Sequence, residues 1–505
     1  LTAFLLLAAA IVPAQPKSHF RITAVDEQTG RGVPLVELRT VNGITHVTDS
    51  AGVVAFHEPG LMDKDVFFHV SSHGYEFPKD GFGFRGKSLR VTPGGEAKLK
   101  IKRINIAERL YRITGAGVYR DSVLLGDKPP IREPLLNGLV FGSDSVLTAV
   151  HRGKVHWFWG DTNRPSYPLG NFQVPGATSE LPGKGGLDPD VGVNLDYFID
   201  GKGFAKETMR MPGKGPTWMT TLVPVADGKN EERLYASYIK IEPPMKVYAR
   251  GLAVFDDEKQ EFRQLAEVDM KSPVFPDGHA MRHGEHIYFA HPFPVTRVPA
   301  NAEAFKNIRE YESFTCLKEG SKVDDPQFDR DEKGTLRYQW RKNASALTPQ
   351  QEAKLVAAGK IKAHETRWLL RDALTDKSVT PHAGSVYWNE YRRKFIMIAT
   401  QHFGTSLLGE VWYAEAEEPT GPWHYAVKVV THDRYSLYNP KQHPMFDKDK
   451  GRFIYFEGTY THTFSGNPQV TPRYDYNQIM YKLDLDDPRL GSSLDKKLKT
   501  KSSPR

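Results

Sequence analysis

The chain has 505 residues, of which 39% are hydrophobic, 26% charged and 11% aromatic. That balance excludes a disordered or collagen-like chain and supplies an ample core. The 68 basic and 61 acidic residues leave a formal charge of +7. Part of the excess sits in the run Lys496, Lys497, Lys499, Lys501 and Arg505, so no basic stripe of the nucleic-acid-binding kind is present. A single cysteine, Cys316, excludes an intrachain disulfide framework and a cysteine-rich metal site.

The first residues bear on the compartment. Leu1–Val12 is an apolar run ending in Pro13-Ala14-Gln15, the pattern of the hydrophobic region and cleavage zone of a secretory signal without its charged start. The run is too short to cross a membrane, and no later stretch of about 18 apolar residues exists. The expectation is an exported, soluble, monomeric protein with its signal over 1–15. Export without disulfides fits a bacterial periplasmic or secreted protein.

Residues 18–104 alternate apolar and polar in strand fashion, as in His19 to Val25 and Val33 to Leu38, with turn signals at Thr29-Gly30 and Ser50-Ala51-Gly52. This predicts a β-sandwich module. The stretch from Val25 to Gly43, continued by Thr45 to Phe56 and Ser71 to Phe77, resembles the transthyretin-like or carboxypeptidase-regulatory modules attached to secreted enzymes. It contains no acid–base constellation.

From about residue 138 one pattern recurs five times: a polar residue opens a short apolar strand, a turn follows, and an aromatic-rich strand ends in polar groups. The units run Asp144 to Val150 with Val155 to Asp161, Trp218 to Pro224 with Arg233 to Tyr238, and Asp277 to Met281 with His286 to His291. Two more follow, His382 to Trp388 with Lys394 to His402, and His443 to Phe446 with Arg452 to Glu457. Further strands follow several pairs. Repeats of about 50–70 residues with up to four strands each are a propeller signature. The overall expectation is an all-β chain: the sandwich, then a five-bladed β-propeller over 115–490, then a basic disordered tail over 491–505. Thr348-Pro349-Gln350-Gln351 begins a capped helix that ends at Gly359, inserted between the third and fourth blades.

Antiparallel strands place the start of the first strand and the end of the second on one face, near the axis. Asp144, Trp218, Asp277 with His279, His382 and His443 are strand-one starts; Asp161, Tyr238, His291, Gln401 with His402, and Glu457 are strand-two ends. Glu410 opens a third strand farther out. Carboxylates, imidazoles and aromatics on one face form a natural cleft for a sugar chain, because rings stack and hydroxyls bond. The histidines would bind hydroxyls or an axial calcium ion, but carboxylate partners at diagnostic metal spacing are absent.

The stretch Gly142 to Asn163 resembles the first blade of secreted five-bladed propeller glycosidases. It is most similar to the bacterial endo-D-arabinanase-type family, whose blade carries a Gly-Thr-Asp start and a Phe-Gly-Asp-Thr end. Here these are Gly142-Ser143-Asp144 and Trp159-Gly160-Asp161-Thr162. His382 to Ile398, with Gly409 to Trp423, resembles that family's fourth blade. A more distant resemblance is to the family 43 arabinanases and xylosidases, whose catalytic base is an Asp where Asp144 stands. The resemblance implies a hydrolase acting on an arabinan-like polysaccharide, with Asp144 and Asp161 as the catalytic pair. Glu410 and Glu457 are the reserve acids, because the family 43 Glu-Gly-Pro acid motif is replaced around His382. Trp218, Asp277, His279, His291, His382, His443 and Glu457 are the expected substrate contacts. Two other readings stay open: a polysaccharide lyase using His279, His382, Tyr438 and Arg473, and a non-catalytic carbohydrate-binding propeller.

Overall fold

A computed structural model describes residues 18–227, 231–321, 323–432 and 434–491. The expected signal at 1–15 and all but the first residue of the expected tail lie outside the described residues. Two four-stranded sheets form the first module. One holds Phe20–Asp26 between Val53–Phe56 and Glu96–Arg103, with Tyr75–Glu76 at its edge. The other holds Thr45–Val47, Glu37–Thr40, Lys64–Ser71 and Gly86–Val91. Alternation drives the packing: Phe20, Ile22 and Ala24 meet Leu38, Phe68 and Val70 in one core, while Arg21 and Thr23 face outward.

Five further sheets form a ring. Their inner strands are Leu147–His151, Thr217–Ala226, His279–His283, Ser378–Asn389 and Ser436–Gln442, each paired antiparallel with the strand that follows it. Successive inner strands touch from the first blade to the fifth. The ring closes where Thr148 Oγ1 meets His443 Nδ1 at 3.2 Å and the Asn439 amide donates to Ser145 Oγ at 2.7 Å.

One apolar cluster fills each gap between neighbouring blades. Phe158 packs with Leu222 between the first and second, and Val254 with Phe289 between the second and third. Met281 packs with Met397 between the third and fourth, Ile398 with Phe456 between the fourth and fifth, and Trp157 with Tyr455 between the fifth and first. Trp157 and Phe158 are adjacent in sequence and serve opposite interfaces, which is the two-residue strand period at work. Blade strands buried on both faces therefore read as apolar runs.

The outermost strand of the fifth blade is Glu108–Arg112, which pairs antiparallel with Asn477–Asp484. The propeller thus begins before residue 115, and its last blade is completed by chain that precedes its first. The helix Pro349–Ala357 forms where expected, with the reciprocal Thr348–Gln351 cap. Its Leu355 packs against buried Cys316, Leu317 and Leu336, and burial pushes the Cys316 thiol up to about 11. Among the described residues no helix is long and apolar enough to cross a membrane.

The closing strand also fixes the sandwich. Arg109, 1% exposed, donates to the carbonyls of Pro34 and His73, each at 3.0 Å, and to Ser72 Oγ at 2.5 Å. Its guanidinium lies 5.1 Å from the Tyr75 ring centroid. Beside it Tyr474 donates to the Thr48 carbonyl at 2.6 Å. Truncating Arg109 leaves buried carbonyls unpaired, and a hydrogen bond to a charged group is worth about 1.5–3 kcal/mol. Arg109→Ala should therefore lower unfolding free energy by about 3 kcal/mol in a denaturant titration. An unchanged midpoint would show that the joint does not depend on Arg109.

Candidate active site

A cavity of about 1030 Å³ opens on the face where the inner strands of the ring begin, and residues from all five blades line it. The first blade contributes Asp144 and Asp161, the second Trp218, the third Asp277, His279 and His291, and the fourth His382 and His402. The fifth contributes Tyr438 and Asn439, with Tyr476 beside them.

Asp144 sits in the short loop between Gly142–Ser143 and the inner strand of the first blade; Asp161 follows the second strand. Their backbones are joined: Asp144 N donates to Asp161 O at 3.3 Å, and Gly160 N donates to Asp144 O at 2.8 Å. A Cβ at Gly160 would lie 2.1 Å from Asp144 Oδ1. Any larger residue between Trp159 and Asp161 would collide with the Asp144 carboxylate.

The two carboxyls have different surroundings. Tyr438 donates to Asp144 Oδ2 at 2.7 Å, and the Tyr476 and Ser145 side chains and the Asp161 backbone also hydrogen-bond this carboxylate. Burial raises the Asp144 pKa, and these four bonds oppose the rise. Among the described residues Asp161 has only Trp218, whose Nε1 donates to Oδ1 at 3.2 Å. Burial, and then the negative charge of Asp144, push Asp161 up to about 7. The pair titrates as a unit, with Asp144 ionising first and Asp161 holding its proton near neutrality. Burial pushes the Tyr438 and Tyr476 phenols upward too, so both stay protonated donors.

Across the cavity stand imidazoles. The His382 ring lies 4.5 Å from that of His402 and 6.4 Å from that of His291, centroid to centroid. Burial, with His402 and His291 adding like charge, lowers His382 to about 4. Burial with Lys441 nearby puts His279 well below the usual range. Nδ1 of both His279 and His382 is buried and has no hydrogen-bond partner among the described residues.

Three expected site residues lie elsewhere. Glu410 is fully buried, and its carboxylate accepts from the Thr405 amide at 2.9 Å and from the Thr405 hydroxyl. It braces the 403–409 loop, because a third strand starts farther from the axis than its charge pattern implies. His443 and Glu457 lie beneath the cavity floor, both 0% exposed, with His443 Nε2 3.3 Å from Glu457 Oε1. The reason is register. Pro440 masks the inner strand Ser436–Gln442, so His443 falls beyond its far end and Glu457 lies opposite Lys441 in the middle of the blade. The fifth blade's contribution to the site is instead Tyr438, Asn439 and Tyr476. The alternation in Ser436 to Asn439 is the signal that would have placed the first two.

Among the described residues no three of His, Cys, Asp or Glu assemble to hold a metal ion, so the histidine ring offers no ligand set for an axial calcium. Arg473 lies outside the cavity, beside a separate surface groove. The cavity's one arginine, Arg250, is tied to the carbonyls of Asp269 at 2.7 Å and Ser272 at 2.8 Å.

No protein-family model matches the chain, and no curated protein matches its sequence. Similar solved structures include an exo-1,5-α-L-arabinanase from a bovine ruminal metagenomic library, at 9% identity over 68% of this chain and 94% of that chain, TM-score 0.35. An exo-β-1,3-galactanase from Phanerochaete chrysosporium with galactose matches at 10% identity over 68% and 61%, TM-score 0.35. A GH43_1 enzyme from Xanthomonas citri with xylotriose matches at 8% over 69% and 87%, TM-score 0.34. At such scores the chemistry rests on the site's own geometry.

The raised Asp161 pKa bears on stability. Below 3.8, its ordinary value, folded and unfolded chains both hold the proton; between there and about 7 only the folded chain does. Stability is therefore lost as pH rises across that window. Asp161→Asn should melt above the wild type at pH 8, by about 1 °C for each kcal/mol relieved in a chain of this length, and with it at pH 4. Equal melting at both pH values would mean that Asp161 ionises normally.

Proposed function

We propose that the protein hydrolyses glycosidic bonds of a neutral polysaccharide outside the cytoplasm, with Asp161 as general acid and Asp144 as its ionised partner. One observation carries this reading. Two carboxyls joined through their backbones lie in one cavity, one held by four hydrogen bonds and the other left by burial near neutrality. Glycoside hydrolysis asks for that division, a protonated group at the leaving oxygen and an ionised one that activates water or attacks carbon. Trp218, Asp277, His279, His291 and His382 would bind the sugar by stacking and hydroxyl bonding. The first-blade motif Gly142 to Asn163 supports an arabinan-like substrate, and the Leu1–Val12 run supports export.

The lyase reading loses ground on charge. A uronate needs a cation, and the arginine that lines the cavity, Arg250, has one guanidinium nitrogen tied to two backbone carbonyls, while Arg473 lines a separate groove. The ionised Asp144 carboxylate would instead repel a polyuronate.

Asp144→Asn and Asp161→Asn should remain folded, still bind glycan, and lose about 10²–10⁴ in rate, read as reducing sugar released from an arabinan and glycan panel. Wild-type activity should fall as pH rises through about 7, where Asp161 loses its proton. Full activity in both variants would refute the assignment. Unsaturated products absorbing near the ultraviolet edge would replace hydrolysis with elimination. A wild type that binds glycan without turning it over would leave only the binding-module reading.

A further inference from the structure

One wall of the cavity does not suit a sugar. The second and third strands of the second blade, Glu232–Glu242 and Lys246–Asp256, form a long hairpin beside the mouth. Ile239, Met245 and Val247 from this hairpin face the cavity, joined by Met270 and Phe275 from the chain that leads to the third blade. Sugar faces stack on flat aromatic rings. This wall is aliphatic and thioether instead, and its one ring, Phe275, is covered by the Arg250 guanidinium 4.9 Å from its centroid. Met245 is 65% exposed and Met270 45%. Unbranched methionines of this kind adapt to a flexible apolar partner.

The wall is also built. Arg250 bonds the Asp269 and Ser272 carbonyls on either side of Met270 and so fixes the loop that carries it. Met245 takes φ +107°, a conformation that favours glycine. A methionine kept there points to a use for its side chain.

Position sets the use. Ile239 lies directly across the sheet from Trp218, and Trp218 donates to Asp161. The apolar wall therefore begins beside the proton donor, on the side where a leaving group departs. We infer that the leaving-group side of the substrate carries an aliphatic chain, as in an acylated or alkylated glycan or a glycolipid, and that this wall receives it. The inference rests on the glycosidase reading for the word leaving group; the apolar subsite itself does not.

The test uses n-alkyl β-D-glucopyranosides from methyl to octyl, each below its critical micelle concentration. Titration calorimetry is done on the full chain carrying both Asp144→Asn and Asp161→Asn, so that nothing turns over. Full burial of a methylene strengthens binding about fourfold, and a wall open on one side should give about twofold per methylene. Met245→Ser and Met270→Ser, both at exposed positions, should flatten that slope while the methyl glycoside binds as before. A dissociation constant independent of chain length, or a slope unchanged by both serine variants, overturns the subsite. Concentration-dependent dimerisation that the serine variants abolish also overturns it, because the wall would then be covered by a second copy. If the chain without the serine changes shows no slope while the wild type hydrolyses glycan, this inference alone fails. A slope without hydrolysis of any glycan sinks the glycosidase reading and leaves the apolar subsite.

Discussion

The strand Glu108–Arg112 closes the ring, and the chemistry depends on that closure. It completes the fifth blade and holds it against the first. Both phenols that hold the Asp144 carboxylate, Tyr438 and Tyr476, follow the fourth blade in sequence, while both carboxyls belong to the first. Thr459 Oγ1 in the fifth blade also accepts from the Ser145 amide at 3.0 Å, fixing the loop that carries Asp144. A ring that opened at this seam would strip Asp144 of its phenol donors and erase its difference from Asp161. The same strand sends Arg109 into the sandwich. The first module is thus braced to the element that sets the site, which links the stability of the joint to the reactivity of the pair.

Inside the cavity, burial decides which groups carry charge. It drives the imidazoles of His279 and His382 to neutrality and keeps the phenols protonated. Near neutral pH the floor therefore presents carboxylate charge among neutral imidazole and phenol donors and acceptors. In the proposed reaction such a field would favour a positive, oxocarbenium-like transition state, and the arginine that lines the cavity, Arg250, is tied to backbone carbonyls. Neutral imidazoles donate and accept at once, which matches the hydroxyls of a sugar better than charged ones would.

Much of this was legible in the residues, for physical reasons. Strands buried on both faces read as apolar runs between polar ends, so four of the five inner strands were legible, though the fourth begins at Ser378 rather than His382, and Asp144, Asp161, Trp218, Asp277, His279, His291 and His382 all line the cavity. The capping box of Thr348 is local chemistry and equally readable. The fifth blade failed because Pro440 inside Ser436–Gln442 looks like a break, and proline in a ring's inner strand is tolerated only where its missing donor is not needed. The slip carried His443 and Glu457 from the floor into the interior. Glu410 failed differently: its strand was right, but only three dimensions reveal that the Thr405 loop folds over it. The closing strand was invisible because its partner lies more than three hundred residues away.

What lies under the floor follows the same rule of burial. Lys441, His443 and Glu457 are all buried in the fifth blade, with Lys441 directly across the sheet from Glu457. Burial lowers Lys441 to about 7 and raises Glu457 well above its ordinary value, each opposed by the other's charge. His443 is driven to its neutral form by burial and by Lys441. Burial thus disfavours charge on both groups. Lys441 Nζ donates to the Tyr387 hydroxyl at 2.9 Å, and Glu457 Oε1 lies 3.3 Å from His443 Nε2. The fifth blade therefore gives Asp144 its phenol donors at the floor and holds the groups beneath it toward their neutral forms.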